Sequence, residues 1–124
     1  MKTVATTMMA SLFLALGLAG CADPVVGKWE GKDDSAVDLD VQSANGGDYD
    51  GDGHIYLCSD TDCYLCPFDF DANNRGGGRF EIDGHFTGDC SSAGSFDGID
   101  CEVRGDELTC DIPGGPTIEY DRAR

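Results

Sequence analysis

Three carboxylates stand at alternate positions in Asp48-Tyr49-Asp50-Gly51-Asp52-Gly53, and the backbone carbonyl of His54 follows at once. Oxygen ligands at this spacing can converge on one hard cation if the chain turns sharply, and Gly53 permits such a turn. The competing reading is an Asp/Gly-rich turn ahead of a strand. A second cluster is Cys58-x4-Cys63-x2-Cys66. With Cys90, or with His54 or His85, it has the ligand types of a zinc site, and Cys63 with Cys66 has the spacing of a redox pair. Neither histidine has a serine or cysteine nucleophile in a recognisable context. No Gly-x-Ser-x-Gly, His-Glu-x-x-His or phosphate-binding loop occurs. Acids are so frequent that a glycosidase-like pair would follow from composition alone. The chain therefore reads as a non-enzyme.

The Asp48–Gly53 stretch resembles the first half of an EF-hand calcium loop, Asp-x-Asp-x-Asp-Gly, with Ile55 at the apolar eighth position. That resemblance implies calcium held by Asp48, Asp50 and Asp52. The twelfth position is Ser59 rather than a bidentate Glu, so Asp60 or Asp62 would have to substitute, and no flanking helices are apparent. Affinity would fall in the range of extracellular modules, about 0.1–1 mM.

Seven cysteines leave one over in a secreted chain. The N-terminus accounts for it. Lys2 is followed by an apolar run from Met8 to Ala19, broken by Ser11 and Gly17, and then by Leu18-Ala19-Gly20-Cys21. The run is too short to span a bilayer and fits the apolar region of a secretory signal. Leu18-Ala19-Gly20-Cys21 resembles the lipobox of bacterial lipoproteins. The resemblance implies cleavage before Cys21, lipid on its sulfur and new amino terminus, and a membrane anchor in the cell envelope. Residue 22 is Ala, not the Asp that holds lipoproteins at the inner membrane in some lineages, which leans to the outer membrane. The expected organisation is a signal peptide at 1–20, a lipidated cysteine and short tether at 21–24, and one domain at 25–124. Six cysteines remain, and an even number in an exported small domain reads as three disulfides. A thioredoxin-like use of Cys63 and Cys66 would need an α/β framework, which the pattern does not offer.

The whole chain has a formal charge of −16, and removing residues 1–20, which hold Lys2 and no acid, makes it −17. Such a charge excludes nucleic acid and basic-patch membrane binding. It favours cationic partners, metal ions or plain solubility.

These candidate groups must be positioned by strands. Apolar residues recur at period two, and no helical pattern appears beyond the N-terminal run. Eight strands are expected, at 25–31, 36–42, 53–58, 63–70, 79–87, 95–103, 107–112 and 117–121. They form a small all-β antiparallel meander, a barrel or a sandwich. A two-residue turn at Gly105-Asp106 sets Val103 opposite Leu108, Cys101 opposite Cys110, Ile99 opposite Ile112 and Arg104 opposite Glu107 as an ion pair. A four-residue loop at 59–62 sets Cys58 opposite Cys63. Parity points Cys66 and Cys90 inward. The expected disulfides are therefore Cys58–Cys63, Cys66–Cys90 and Cys101–Cys110. Closing about 25 residues, Cys66–Cys90 is worth roughly 3 kcal/mol. The small core expected around Val37, Leu39, Val41, Phe68, Phe70, Phe80, Phe86, Ile118 and Tyr120 needs such staples.

In Val25-Val26-Gly27-Lys28-Trp29-Glu30-Gly31, Gly27-x-Trp29 resembles the opening strand of lipocalin-type barrels. That resemblance implies an eight-stranded barrel holding a small apolar ligand. It covers three residues, and the family's Thr-Asp-Tyr motif has no equivalent; Trp29 also reads simply as a core aromatic. The functional expectation is a lipid-anchored binding or structural module of the envelope. Two alternatives stand beside it. One is an acidic inhibitor of a cationic envelope-attacking enzyme such as a lysozyme, since the chain is similar in size and architecture to small periplasmic lysozyme inhibitors. The other is a calcium-dependent adhesion or stability module.

Overall fold

The computed structural model describes residues 23–33 and 36–123. The expected signal segment, the expected lipid site Cys21 and Ala22 lie outside the described residues. Eight strands follow in order: β1 (Gly27–Gly31), β2 (Ala36–Ser43), β3 (Tyr49–Cys58), β4 (Cys63–Gly76), β5 (Arg79–Phe86), β6 (Ser95–Arg104), β7 (Glu107–Asp111) and β8 (Thr117–Arg122). Short 3-10 turns occupy Asn45–Gly47 and Gly88–Ala93. Each strand pairs antiparallel with the next, and β1 pairs with β8 through Trp29↔Arg122, Glu30↔Asp121 and Gly31↔Tyr120. The sheet is thus a closed barrel rather than a sandwich.

Period-two patterning builds it. Along every strand one parity turns inward and the other meets water. Trp29, Leu39, Val41, Phe68, Phe70, Phe80, Ile82, Val103, Leu108, Ile118 and Tyr120 are buried inside. Asp69, Asp71, Asp83, Asp100, Asp111 and Asp121 are exposed outside. A barrel of eight strands is narrow enough for side chains to fill.

Four details depart from the sequence expectation. Strand β1 starts at Gly27, because Pro24 and Val25 form a turn in which the Val25 N–H donates to Asp23 Oδ1 at 2.9 Å. A β-bulge between Ala36 and Asp38 leaves Val37 half-buried and gives its core place to Ala36. Pairing of β6 with β7 keeps the expected register but ends at Asp100↔Asp111, one pair short of Ile99 and Ile112, while on its other side Ile99 pairs with Ile82 of β5. Arg104 pairs with Glu102 at 3.3 Å instead of Glu107, whose carboxylate is taken by Lys32 at 3.5 Å.

The disulfides join Cys58–Cys63, Cys66–Cys90 and Cys101–Cys110, with Cα separations of 4.0, 5.5 and 4.1 Å. The first and third link directly opposed residues of a hairpin. Cys90 reaches Cys66 from the 3-10 turn after β5, not from the strand itself.

One end of the barrel is plugged. Trp29 is fully buried, and its indole Nε1–H donates to the Val25 carbonyl at 3.1 Å. The Arg122 guanidinium lies 4.2 Å from the ring centroid. It donates to the carbonyls of Pro24 and Gly105 at 2.8 and 3.3 Å and to Asp106 at 3.2 Å. Arg122→Ala removes a cation–π contact and the guanidinium hydrogen bonds to Pro24, Gly105 and Asp106. It should lower the unfolding free energy in urea by about 2 kcal/mol, with Arg122→Lys recovering less than half because lysine lacks the planar fork.

Candidate functional site

The other end of the barrel is open. Residues 32–33 and the loops 59–62, 87–94 and 112–116 lie there, and inside them is a cavity of about 200 Å³. Leu39, Phe68, Ile82, Ile118 and Tyr120 form its deeper wall and are buried. Ile55, Leu57, Phe86, Phe96, Ile99 and Ile112 form its outer wall and are half-buried. Phe68, Phe86 and Phe96 meet edge to face or tilted, at centroid distances of 5.3–6.3 Å. The wall is thus built of side chains that repel water. The space is below the ~300–1,000 Å³ of drug-sized sites. It exceeds the roughly 150 Å³ that admits benzene. A single ring or an alkyl chain of about six carbons fits it.

The cavity exists because the inward residues of the open half are too few to meet across it. Pairing of β2 with β3 ends at Ala36↔Ile55, and that of β4 with β5 begins at Phe68↔Phe86. Beyond these points β3 and β4 continue as a two-stranded arm, Tyr56↔Leu65 and Leu57↔Tyr64, stapled at its tip by Cys58–Cys63. The arm exposes Tyr56, Tyr64 and Leu65, the last two to 59% and 49%. Tyr56 and Leu65 stand opposite each other on one face of the arm and Tyr64 lies on the other, so both faces offer apolar contact.

One polar group sits in the wall. The Tyr120 side chain is buried, and among the described residues its hydroxyl has no hydrogen-bond partner. Burial pushes its pKa upward, as do the nearby Asp38 and Asp33 carboxylates. Tyr49 at the closed end is also raised, by burial and by its 2.7 Å hydrogen bond to Asp23 Oδ2.

Most of the basic residues are gathered at one end of the barrel, where acids such as Glu102 and Asp106 accompany them. Lys28, Arg75, Arg79, Arg104 and Arg122 lie toward the closed end, in the first residues of β1 and around the turns 76–79 and 104–107. The open end carries Asp33, Asp60, Asp62, Asp89 and Asp111. Its one Lys or Arg among the described residues is Lys32, which is 3.5 Å from Glu107, 3.5 Å from Asp121 and 4.0 Å from Glu119. Desolvation draws the Lys32 pKa down, but Asp121, Glu107 and Glu119 more than offset it, leaving it raised.

The expected cation loop has a different structure. Tyr49 to Gly53 belong to β3, so the stretch is strand and not turn. Extended backbone places Asp50 and Asp52 outward, about 7 Å apart, instead of wrapping them round a point. Asp48 accepts the Asn74 N–H at 3.0 Å. No group of three metal-ligating side chains occurs among the described residues. The glycines have a packing cause: a Cβ on Gly51 would lie 1.9 Å from the Asp40 carbonyl oxygen and 2.9 Å from Phe70, and one on Gly53 would lie 2.8 Å from Phe68. Phe70 and Phe68 are their partners in β4 and cover them. The cysteines of the alternative zinc and redox readings are all in disulfides, Cys63 and Cys66 with different partners. His54 Nδ1 lies 2.9 Å from Asp38 Oδ1 on the outer surface.

Sequence reasoning placed Phe68, Phe86, Ile82 and Tyr120 inside but could not tell a filled interior from one with space. The signal it missed was the β3–β4 hairpin outrunning its neighbours. No protein-family model matches the chain, and comparison with curated proteins and with solved structures returned no match. The fold and site therefore define the class by themselves: a closed eight-stranded antiparallel barrel with one plugged end and one apolar, open end.

Gly51→Ala should destabilise by about 1–3 kcal/mol through overpacking. Asp52→Asn, which relieves repulsion from Asp40 and Asp69 directly opposite, should stabilise by about 0.2–1 kcal/mol. A calcium-specific rise in melting temperature, absent with magnesium and lost in Asp50→Ala, would restore the converging-ligand reading. Because the Tyr120 and Tyr49 pKa values are raised on folding, the stability they contribute is complete below the free phenol's pKa of about 10 and is lost above it. Melting temperature should fall as pH passes 10, and less steeply in Tyr120→Phe.

Proposed function

We propose that this chain is a lipid-anchored, non-enzymatic binding module of the bacterial cell envelope, whose barrel takes a small apolar ligand through its open end. The observation that carries the binding reading is the cavity: about 200 Å³, walled by Leu, Ile and Phe, and reached from one side. The anchor rests on Leu18-Ala19-Gly20-Cys21 and the odd cysteine count. Asp23 and Pro24 sit at the plugged end, held by Tyr49 and Arg122. A lipid on Cys21 would therefore bring the plugged, arginine-bearing end to the membrane and turn the cavity and the β3–β4 arm outward.

Two substitutions test the two halves of the proposal. Cys21→Ser should move the protein from the membrane fraction to the soluble fraction; retention would remove the anchor. In the Cys21→Ser protein, hexan-1-ol should shift the NMR signals of Ile99 and Ile112 saturably. Ile112→Trp, or Leu57→Trp if the first does not fold, should abolish that shift while the melting temperature holds. No saturable shift in the parent would remove the cavity reading.

The acidic-inhibitor reading gains one specific observation, the projecting arm. Tyr56, Tyr64 and Leu65 are exposed on a stapled hairpin whose tip carries Asp60 and Asp62, a combination suited to entering a basic cleft. A complex with a lysozyme that weakens with salt and is lost in Tyr64→Ser would support it; absence of any complex at low salt would end it.

A further inference from the structure

We propose that the cavity selects amphiphiles with a protonated amine head and a short apolar body over neutral or carboxylate amphiphiles of the same size. The inference rests on the cavity-binding reading and deepens it. Two independent observations point to the head group. The first is the Tyr120 hydroxyl, buried in an otherwise apolar wall and without a hydrogen-bond partner among the described residues. A buried hydroxyl costs free energy until a partner reaches it, and a phenol oxygen accepts from an ammonium N–H. The second is the field at the open end. Asp33, Asp60, Asp62, Asp89 and Asp111 lie in the loops and strand ends of the open end, and Lys32 is paired with Glu107, Asp121 and Glu119 on the outer surface. Asp38 and Asp33 also act on the Tyr120 phenol electrostatically, so their negative field extends into the wall.

These features discriminate in one direction. An alkylammonium gains from the mouth carboxylates and can donate to Tyr120. A neutral alcohol can share the hydrogen bond but gains nothing from the field. A carboxylate is repelled at the mouth and, to be buried, would have to shed its charge. An apolar cavity at an end of the barrel whose loops are acidic is a low-dielectric site in a negative potential, the arrangement that raises local cation concentration. The size of the cavity limits the body to about six carbons or one ring.

The test uses the Cys21→Ser protein at pH 7 with hexylammonium, hexan-1-ol and hexanoate, followed by NMR titration at low and high salt. Hexylammonium should bind about tenfold or more tightly than hexanoate at low salt, with hexan-1-ol between them, and the spread should shrink to a few-fold at about 0.5 M salt. Tyr120→Phe should weaken hexylammonium by about tenfold. Equal binding of all three, or tightest binding of hexanoate, would overturn the amine selection and leave the apolar cavity intact. Binding of none would overturn the amine selection and the cavity reading together. Should Tyr120→Phe fail to fold, the order of the three ligands and its salt dependence in the parent decide the matter.

Discussion

Everything in this molecule depends on the seam where β1 meets β8. A meander of eight strands has two free edges, and only their pairing turns an open sheet into a barrel. The seam is short, three residue pairs, and it opens on Trp29 facing Arg122. The indole fills the plugged end and the guanidinium covers it, while also holding the carbonyls of Pro24 and Gly105. One side chain thus ties the incoming chain, the β6–β7 turn and the last strand to the first. With the seam closed, the period-two pattern of all eight strands acquires an inside.

The outer surface works against this closure. Asp40, Asp52 and Asp69 stand in one row across three strands, and Asp50, Asp71 and Asp83 in the next. Like charges directly opposite are unfavourable. The interior and the three disulfides offset them, and Gly51 and Gly53 help by letting Phe70 and Phe68 lie against bare backbone. Asp-Gly-Asp-Gly is therefore a strand with two faces, one for water and one for aromatic rings. Its likeness to a cation loop comes from the same alternation, since both uses need an acid at every second residue.

Much of the fold was legible. Alternation gives all eight strands, and opposed hairpin positions give Cys58–Cys63 and Cys101–Cys110, because a side chain's face is a local property of extended backbone; Cys90 pairs with Cys66 as expected but from a 3-10 turn, where strand parity does not apply. The errors were also local in origin. Asp48–Gly53 was read as loop or turn because glycine and aspartate disfavour strands in isolation, and their packing against Phe68 and Phe70 is not a local fact. The Val37 position moved because a bulge leaves no mark in composition. Arg104 was given Glu107 because the competing Lys32 is 75 residues away in sequence and arrives only with the seam.

The sequence by itself determined the strand content, the inward and outward faces, the two disulfides that close hairpins and the acidic character, and its N-terminus resembles a lipobox. Each of these is set by residue type and short-range spacing. Tertiary structure decided the closure into a barrel, the gathering of the arginines at its plugged end, the outrunning β3–β4 arm and the cavity behind it. The cavity in particular is a difference between the volume a closed sheet encloses and the volume its inward side chains fill. That difference has no value until the strands have closed, so no reading of residues in order could have contained it.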